Sequence, residues 1–559
     1  MSPLRNSNQT LDRRYQSPAN SGEVLAVPSM TDALVDARMN SQELNQPKLR
    51  IGSLGFSNLR IQARSEIISK AVEWTNRVTG QAVACAECSH HAALLFVTGH
   101  QPQLAHAGVW AKTFAAAGLA KSSQGLGLNI IVDNDTVGTQ AIQVPTGTRE
   151  NPQYQDVSFD SAQPQQPWEE LKIQDRELFE SFGERVDTAM AQWGINPLLN
   201  EMWSNAIEVS RQTDSMVECL AACRILQERS WGNSNLELPL SEICQTESFI
   251  EFLSHILLNS QLFHTSYNEI VSRYRRENGI RNDRHPVPDL QVEEDAFELP
   301  FWFWKANDVE RGQVFVKQNG AEIQIICKNE VILESNEATL KDDLRELQKF
   351  GKLRTRALTT TLFSRLFLAD LFIHGIGGAK YDEMTDLLIN EFYGIAPPKF
   401  LVLSATLHLP IEDFSVTEQE VISLKSKLRD YEFNADRYLT GPEVDPLEVK
   451  KQKLIEQHWQ AQTANLPKRE RVQLRRTNRQ RHFDLKRVNE ELAALAKNDV
   501  EQLETQLELA NAKLRANTIL KNREFSAVIY PENEVHQLAS QLMDQSLKDE
   551  LENSSTLTT

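Results

Sequence analysis

Residues 94–121, LLFVTGHQPQLAHAGVWAKTFAAAGLAK, followed at 128–136 by LNIIVDNDT, decide the fold class of this chain. An apolar run from Ala92 to Val97 breaks at Thr98-Gly99-His100-Gln101-Pro102. Val109 to Lys121 is Ala-rich and helix-favouring, and Leu128 to Val132 is a buried-type strand ending at Asp133-Asn134-Asp135. Strand, loop, helix and strand make one βαβ unit, whose parallel strands put both loops at the same sheet edge. Open α/β sheets bind ligands at that edge, outside the carboxyl ends of their strands.

Outward from this unit, residues 1 to about 45 are rich in Ser, Asn and Gln and read as a flexible extension. The α/β core begins over 46–165, with an amphipathic helix (SEIISKAVEWTNRV) before the βαβ unit. Helical signals fill a connecting region over 166–290. Over 291–411, the short β-rich runs FELPFWFW, GQVFVKQNG and AEIQIICKN predict hairpins. An apolar helix to Phe372, a glycine loop, an amphipathic helix to Phe392 and a strand at Phe400 to Leu403 should follow. Residues 412–522 are strongly helical in composition, and the stretch VNEELAALAKNDVEQLETQLELANAKL at 488–514 keeps apolar spacing of three and four, as a coiled-coil arm would. Residues 523–559 form a return segment and tail.

Bulk properties narrow the function classes. A net charge of -18 over 559 residues argues against nucleic acid or an acidic membrane as main partner. The six Cys are irregularly spaced, as in a reduced cytoplasmic protein. An apolar run of membrane-spanning length is absent from the sequence. Cys85, Cys88, His90 and His91 lack a second ligand pair at zinc spacing, so no metal site is assigned. The basic run from Lys468 to Arg481 suits a solvated helix face or, less in keeping with the charge, RNA.

Two glycine segments carry the candidate chemistry. In the first, Thr98 and Gly99 turn the chain, and His100 and Gln101 supply polar side chains. The next helix, with Lys112 in its first turns, aims free N–H groups at the loop. The same residues also suit a capped tight turn. Asp133, Asn134 and Asp135 beside it could hold an amine, a ribose hydroxyl or Mg²⁺, or simply cap a turn. The second segment is His374-Gly375-Ile376-Gly377-Gly378-Ala379-Lys380-Tyr381. Its glycines permit close backbone approach to a ligand, with Lys380 offering charge; a tight turn between helices is the alternative.

Together these segments resemble the bacillithiol synthase family, the cysteine-adding enzymes of bacillithiol biosynthesis. Thr98-Gly99-His100-Gln101, Gly108-Val109-Trp110 and Lys112 match its strand-loop-helix motif. Gly375 to Gly378, Tyr381, Pro397-Pro398 and Ser404-Ala405-Thr406-Leu407 match its later motifs. His100 stands in place of a Gln, the family's acidic segment loses its His at Asp133 to Thr136, and Ala379-Lys380 replaces a Glu.

The resemblance implies a Rossmann-like parallel-sheet core, a helical connecting region and a coiled coil that dimerises the chain. It further implies a ligase or transferase that joins an amino acid to a sugar-type amine through a nucleotide-activated carboxyl, with ATP or ADP and Mg²⁺ as candidate cofactors. Asp133, Asp135 and His100 are the expected catalytic residues. Thr98, Gly99, Gln101, His106, Trp110, Lys112, Asn134, His374, Gly375, Gly377, Gly378, Lys380, Tyr381, Ser404 and Thr406 are expected to bind substrate or nucleotide. A non-catalytic scaffold that keeps the fold is the competing reading.

Overall fold

Six strands form the principal sheet: β1 (Val24–Val27), β2 (Leu95–His100), β3 (Leu126–Ile131), β4 (Leu236–Pro239), β5 (Leu371–His374) and β6 (Phe400–Ala405). The computed structural model describes residues 15–46, 48–82, 93–280, 287–306, 308–462 and 467–556. Cys85, Cys88, His90 and His91 lie outside them. The chain divides into two units. One comprises the segments up to Val144, Gln155–Pro410 and from Arg523 onward; the other comprises Pro145–Tyr154 and Ile411–Asn522.

In the first unit the strand order is β1-β6-β5-β2-β3-β4. All neighbours are parallel except β1, which runs antiparallel to β6 with Val24 opposite Ala405 and Val27 opposite Val402. From β2 the chain moves to β3 and β4 on one side, then returns to β5 and β6 on the other. The connections after β2 and β5 therefore diverge, which opens a crevice between their carboxyl ends.

Five helices of this unit matter here: α1 (Met30–Leu44), α2 (Phe56–Thr79), α3 (Ala107–Ser123), α4 (Ile376–Tyr393) and α5 (Glu532–Thr556). Helix α3 is buried from Ala107 to Ala120 except for half-buried Val109, as its nearly uniform apolar and Ala content requires. It packs on β2, β3, β6 and α5. Helix α2 is tied to the start of β5 by Arg60 and Arg64, four residues apart. Both contact the buried Asp370 carboxylate, at 2.7 and 2.8 Å.

The hairpins form a separate antiparallel sheet. Its path runs from 330–336 through 322–327, 312–319 and 296–305 to 351–355. Lys328 and Asn329, both with positive φ, make the two-residue turn between Cys327 and Glu330.

Two expectations need correction. The N-terminal segment is no loose extension over residues 24–44: it supplies β1 and α1. Asn40 of α1 donates to the carbonyls of Asp370 and Lys399, both at 2.8 Å. The apolar stretch to Phe372 is not one helix either. Helical turns over Ala357–Phe363 and Ser364–Leu368 give way to strand β5, so the glycine segment follows a strand.

The second unit holds four longer helices, Glu418–Asn434, Asp445–Gln462, Lys468–Leu495 and Lys497–Leu520. Their apolar positions pack against one another within the chain, around Tyr431, Val444, Val488, Leu492 and Leu503.

Candidate functional site

The crevice at the switch point measures about 770 Å³ and is walled by the ends of β2, β5 and β6, the starts of α3 and α4, and the segments Tyr15–Ser17 and Arg523–Glu524. Its size suits a nucleotide-class ligand. The two helix starts differ. At α3, His106 caps the helix: its Nδ1 accepts from Gly108 N at 3.1 Å, and its carbonyl accepts from Val109 and Trp110. At α4 the capping residue is Gly375, which has no side chain to close the turn. The N–H groups of Ile376, Gly377 and Gly378 begin that helix and have no intrahelical acceptor. The positive end of α4 is therefore presented bare to the crevice.

Side-chain charge reinforces it. Lys112 is only 5% exposed, and its ammonium donates to the Gly99 carbonyl at 2.7 Å. Among the described residues it has no carboxylate at ion-pair distance. Burial pulls its pKa down to about 8. Arg523 lies across the crevice, donating to Ser404 Oγ at 3.1 Å and the Ala405 carbonyl at 3.0 Å. Gly108 is obligatory beneath it, because a Cβ there would lie 2.6 Å from Arg523 Nη2 and 2.7 Å from the Ala405 carbonyl. Burial, with the Lys112 charge, drives His100 down to about 3, so its imidazole is neutral. Burial likewise lowers His106.

His374 closes the floor. Its ring packs against Phe372 (centroid distance 4.4 Å) and Phe400 (5.1 Å). Nε2 bonds the buried Asp382 carboxylate at 2.9 Å, and Arg365 joins the same carboxylate at 2.5 Å. Burial opposes ionisation of Asp382, but Arg365 and His374 override it and hold the carboxyl far below its usual range. Arg365 also reaches Asp386 at 2.6 Å and the Pro398 carbonyl.

The structure thus gathers Gly99, His100, His106, Lys112, His374, Gly375, Gly377, Gly378 and Ser404 of the expected residues at one crevice. Others are engaged elsewhere. Thr98 Oγ1 donates to the Ile373 carbonyl inside the sheet at 3.0 Å. Thr406 donates to the Pro18 carbonyl at 2.7 Å. Trp110 donates to Glu228 at 2.6 Å. Lys380 is exposed and, like Tyr381, is not among the lining residues.

The acidic loop serves neighbouring backbone and side chains. Asp133 accepts from the N–H (2.9 Å) and hydroxyl (2.5 Å) of Ser241, capping the turn after β4. Burial and nearby Glu169 push its pKa up to about 7. Asn134 donates to the Thr355 carbonyl at 2.6 Å, and Asp135 is held by Gln101, Thr136 N and Arg311. Neither Asp lines the crevice: Asp133 caps the turn at Ser241, and Asp135 bonds Gln101, Thr136 N and Arg311.

No family model matches this chain, and no curated protein matches it.

Sequence reasoning missed Arg523, Tyr15 to Ser17, and the Arg365–Asp382 support beneath His374. A buried-type Arg and Asp flanking an HGxGG strand end was the available signal for the last of these. Arg523 had none, being one more basic residue after a hundred residues of charged helix. Among the described residues, no three metal-ligating side chains gather, and no helix is long and apolar enough to cross a membrane.

Proposed function

We propose that the chain is an enzyme that binds a phosphate-bearing small molecule of the ATP or ADP class in the switch-point crevice. On this reading it is a bacillithiol-synthase-like ligase with a Rossmann-like core, joining the activated carboxyl of an amino acid to an amine. The observation that carries the reading is Lys112: a buried ammonium without a carboxylate, beside the uncapped start of α4. Burying an unpaired cation is costly, so such a group is retained where an anion completes it. Lys112, Arg523 and the α4 N-terminus would hold the phosphates and stabilise charge that builds on the leaving group. Holding carboxyl and amine in line would supply much of the remaining rate. Mg²⁺, when present, would reach the site on the phosphates rather than through a protein ligand set.

Calorimetric titration with ADP, ATP and pyrophosphate tests this. Micromolar binding to the wild type that weakens about tenfold or more in Lys112→Ala supports the reading. Equal affinity in the variant moves the anion site elsewhere, and silence toward all three ligands returns the chain to the scaffold reading.

We assign self-association to the helical unit, whose exposed Ile422, Phe433, Val449, Val472, Phe483 and Leu509 support a second copy as partner. A monomeric mass by light scattering at micromolar concentration would overturn this assignment.

A further inference from the structure

We propose that Nδ1 of His374 is the proton acceptor of the crevice, with Asp382 and Arg365 as its positioning residues; this rests on the ligand-binding reading of the same crevice. Three observations converge. First, Nε2 is committed to Asp382 at 2.9 Å, and Arg365 keeps that carboxylate ionised. The ring proton therefore resides on Nε2, and the Nδ1 lone pair is free. Second, Nδ1 has no hydrogen-bond partner among the described residues, although His374 lines the crevice. Third, the residue facing it is glycine. A Cβ at Gly378 would stand 3.2 Å from Nδ1, in a position otherwise open for a ligand atom.

The ring is fixed by its bond to Asp382 and by packing against Phe372 and Phe400. An imidazole oriented by a buried carboxylate, with its second nitrogen facing a ligand space, is the arrangement of a general base. In the proposed reaction, an amine nitrogen attacks the activated carboxyl carbon and forms the C–N bond. The bond from carbon to the phosphate oxygen breaks with its electron pair, and the amine proton passes to Nδ1. Asp382 balances the imidazolium without taking a proton. Deprotonation by solvent then restores the neutral ring. His374 thereby takes the role that sequence reasoning gave to Asp133 and Asp135.

The charged groups facing His374 are Asp382 on α4, Arg365 on the preceding helical turn and Lys112 on α3. Burial outweighs the Asp382 carboxylate and sets the imidazole below its ordinary value of 6.5, so the free lone pair is present throughout neutral pH.

Diethyl pyrocarbonate acylates an unprotonated imidazole nitrogen, and peptide mass spectrometry locates the label. We expect labelling of His374 in the whole protein at a rate nearly constant from about pH 6.5 to 8. Exposed His482 serves as the reactivity control. Gly378→Ala, which adds a helix-favouring residue, should slow labelling of His374 about tenfold by covering Nδ1. In Asp382→Asn, the midpoint of the labelling profile should move to lower pH. ADP should protect His374 in the wild type.

An unlabelled His374 beside a labelled His482 overturns the proposal, as does an unchanged rate in Gly378→Ala. These outcomes are separable from the binding reading. If ADP fails to bind, the labelling rate and its response to Gly378→Ala still decide whether Nδ1 is the open nitrogen. If ADP binds while His374 stays inert, the crevice stands and its base lies elsewhere.

Discussion

Lys112 reaches back thirteen residues to donate to the carbonyl of Gly99 at 2.7 Å, tying the first turns of a helix to the end of the strand before it. That bond solvates a buried ammonium without neutralising it. The pKa of about 8, against an ordinary 10.5, records the deficit. A fold that keeps such a group sacrifices stability for a positive site. The cost is roughly 3 kcal/mol below pH 8.

The sign of that deficit gives the first prediction. Below about pH 8 both states hold the proton and the penalty is full; between about 8 and 10.5 the folded state sheds it first, so stability should rise with pH. Lys112→Met should flatten this slope and raise stability at pH 7 by about 1–3 kcal/mol, measured by urea unfolding. Conversely, an anion bound beside Lys112 should draw a proton onto it. Titrations above pH 8 in buffers of differing ionisation enthalpy should register proton uptake.

Two glycines should respond in opposite ways. Gly108→Ala forces a methyl into Arg523 and the Ala405 carbonyl, so it should cost about 1–3 kcal/mol in thermal unfolding and weaken anion binding. Gly377 has open space where its Cβ would lie, and Gly377→Ala should stabilise by about 0.5–1 kcal/mol.

Asp133 should behave as a structural acid. Its raised pKa means that the folded state holds a proton the unfolded chain has lost, so its contribution to stability falls as pH rises from about 3.8 to about 7. Asp133→Asn should remove that fall and leave ADP affinity unchanged. A large loss of affinity would return the acidic loop to the site.

Arg365 is 1% exposed and serves three acceptors, Asp382, Asp386 and Pro398 O. Arg365→Met should destabilise by about 3–5 kcal/mol, because it leaves the buried Asp382 carboxylate without its cation. Arg365→Lys should recover only part of this, since a single ammonium cannot span the fork.

The βαβ unit was legible because every level agreed: apolar runs, glycine break, Ala-rich helix and strand-end polarity all point to parallel strands. The stretch from Leu358 to His374 was not. Leu, Phe and Ala favour helices, and a four-residue buried strand has no periodicity to set it apart from helix. Lys380 looked like a phosphate ligand by proximity to the glycines, but five residues of helix rotate it away from them to an exposed position. Asp133 and Asp135 looked chemical because they end a strand. Whether such a carboxylate meets a ligand or a backbone N–H depends on the element behind it, here the turn at Ser241, more than a hundred residues later.

The order in which the crevice walls emerge during synthesis has a consequence of its own. Its surfaces come from Tyr15–Ser17, from 99–112, from 372–378, from Ser404 and finally from Arg523 and Glu524. A nascent chain therefore holds the sheet long before it holds the site, because the last strand ends at Ala405 and the last cation, Arg523, comes more than a hundred residues later. A fragment that stops before Arg523 should therefore lack the last cation of the crevice even where its sheet folds.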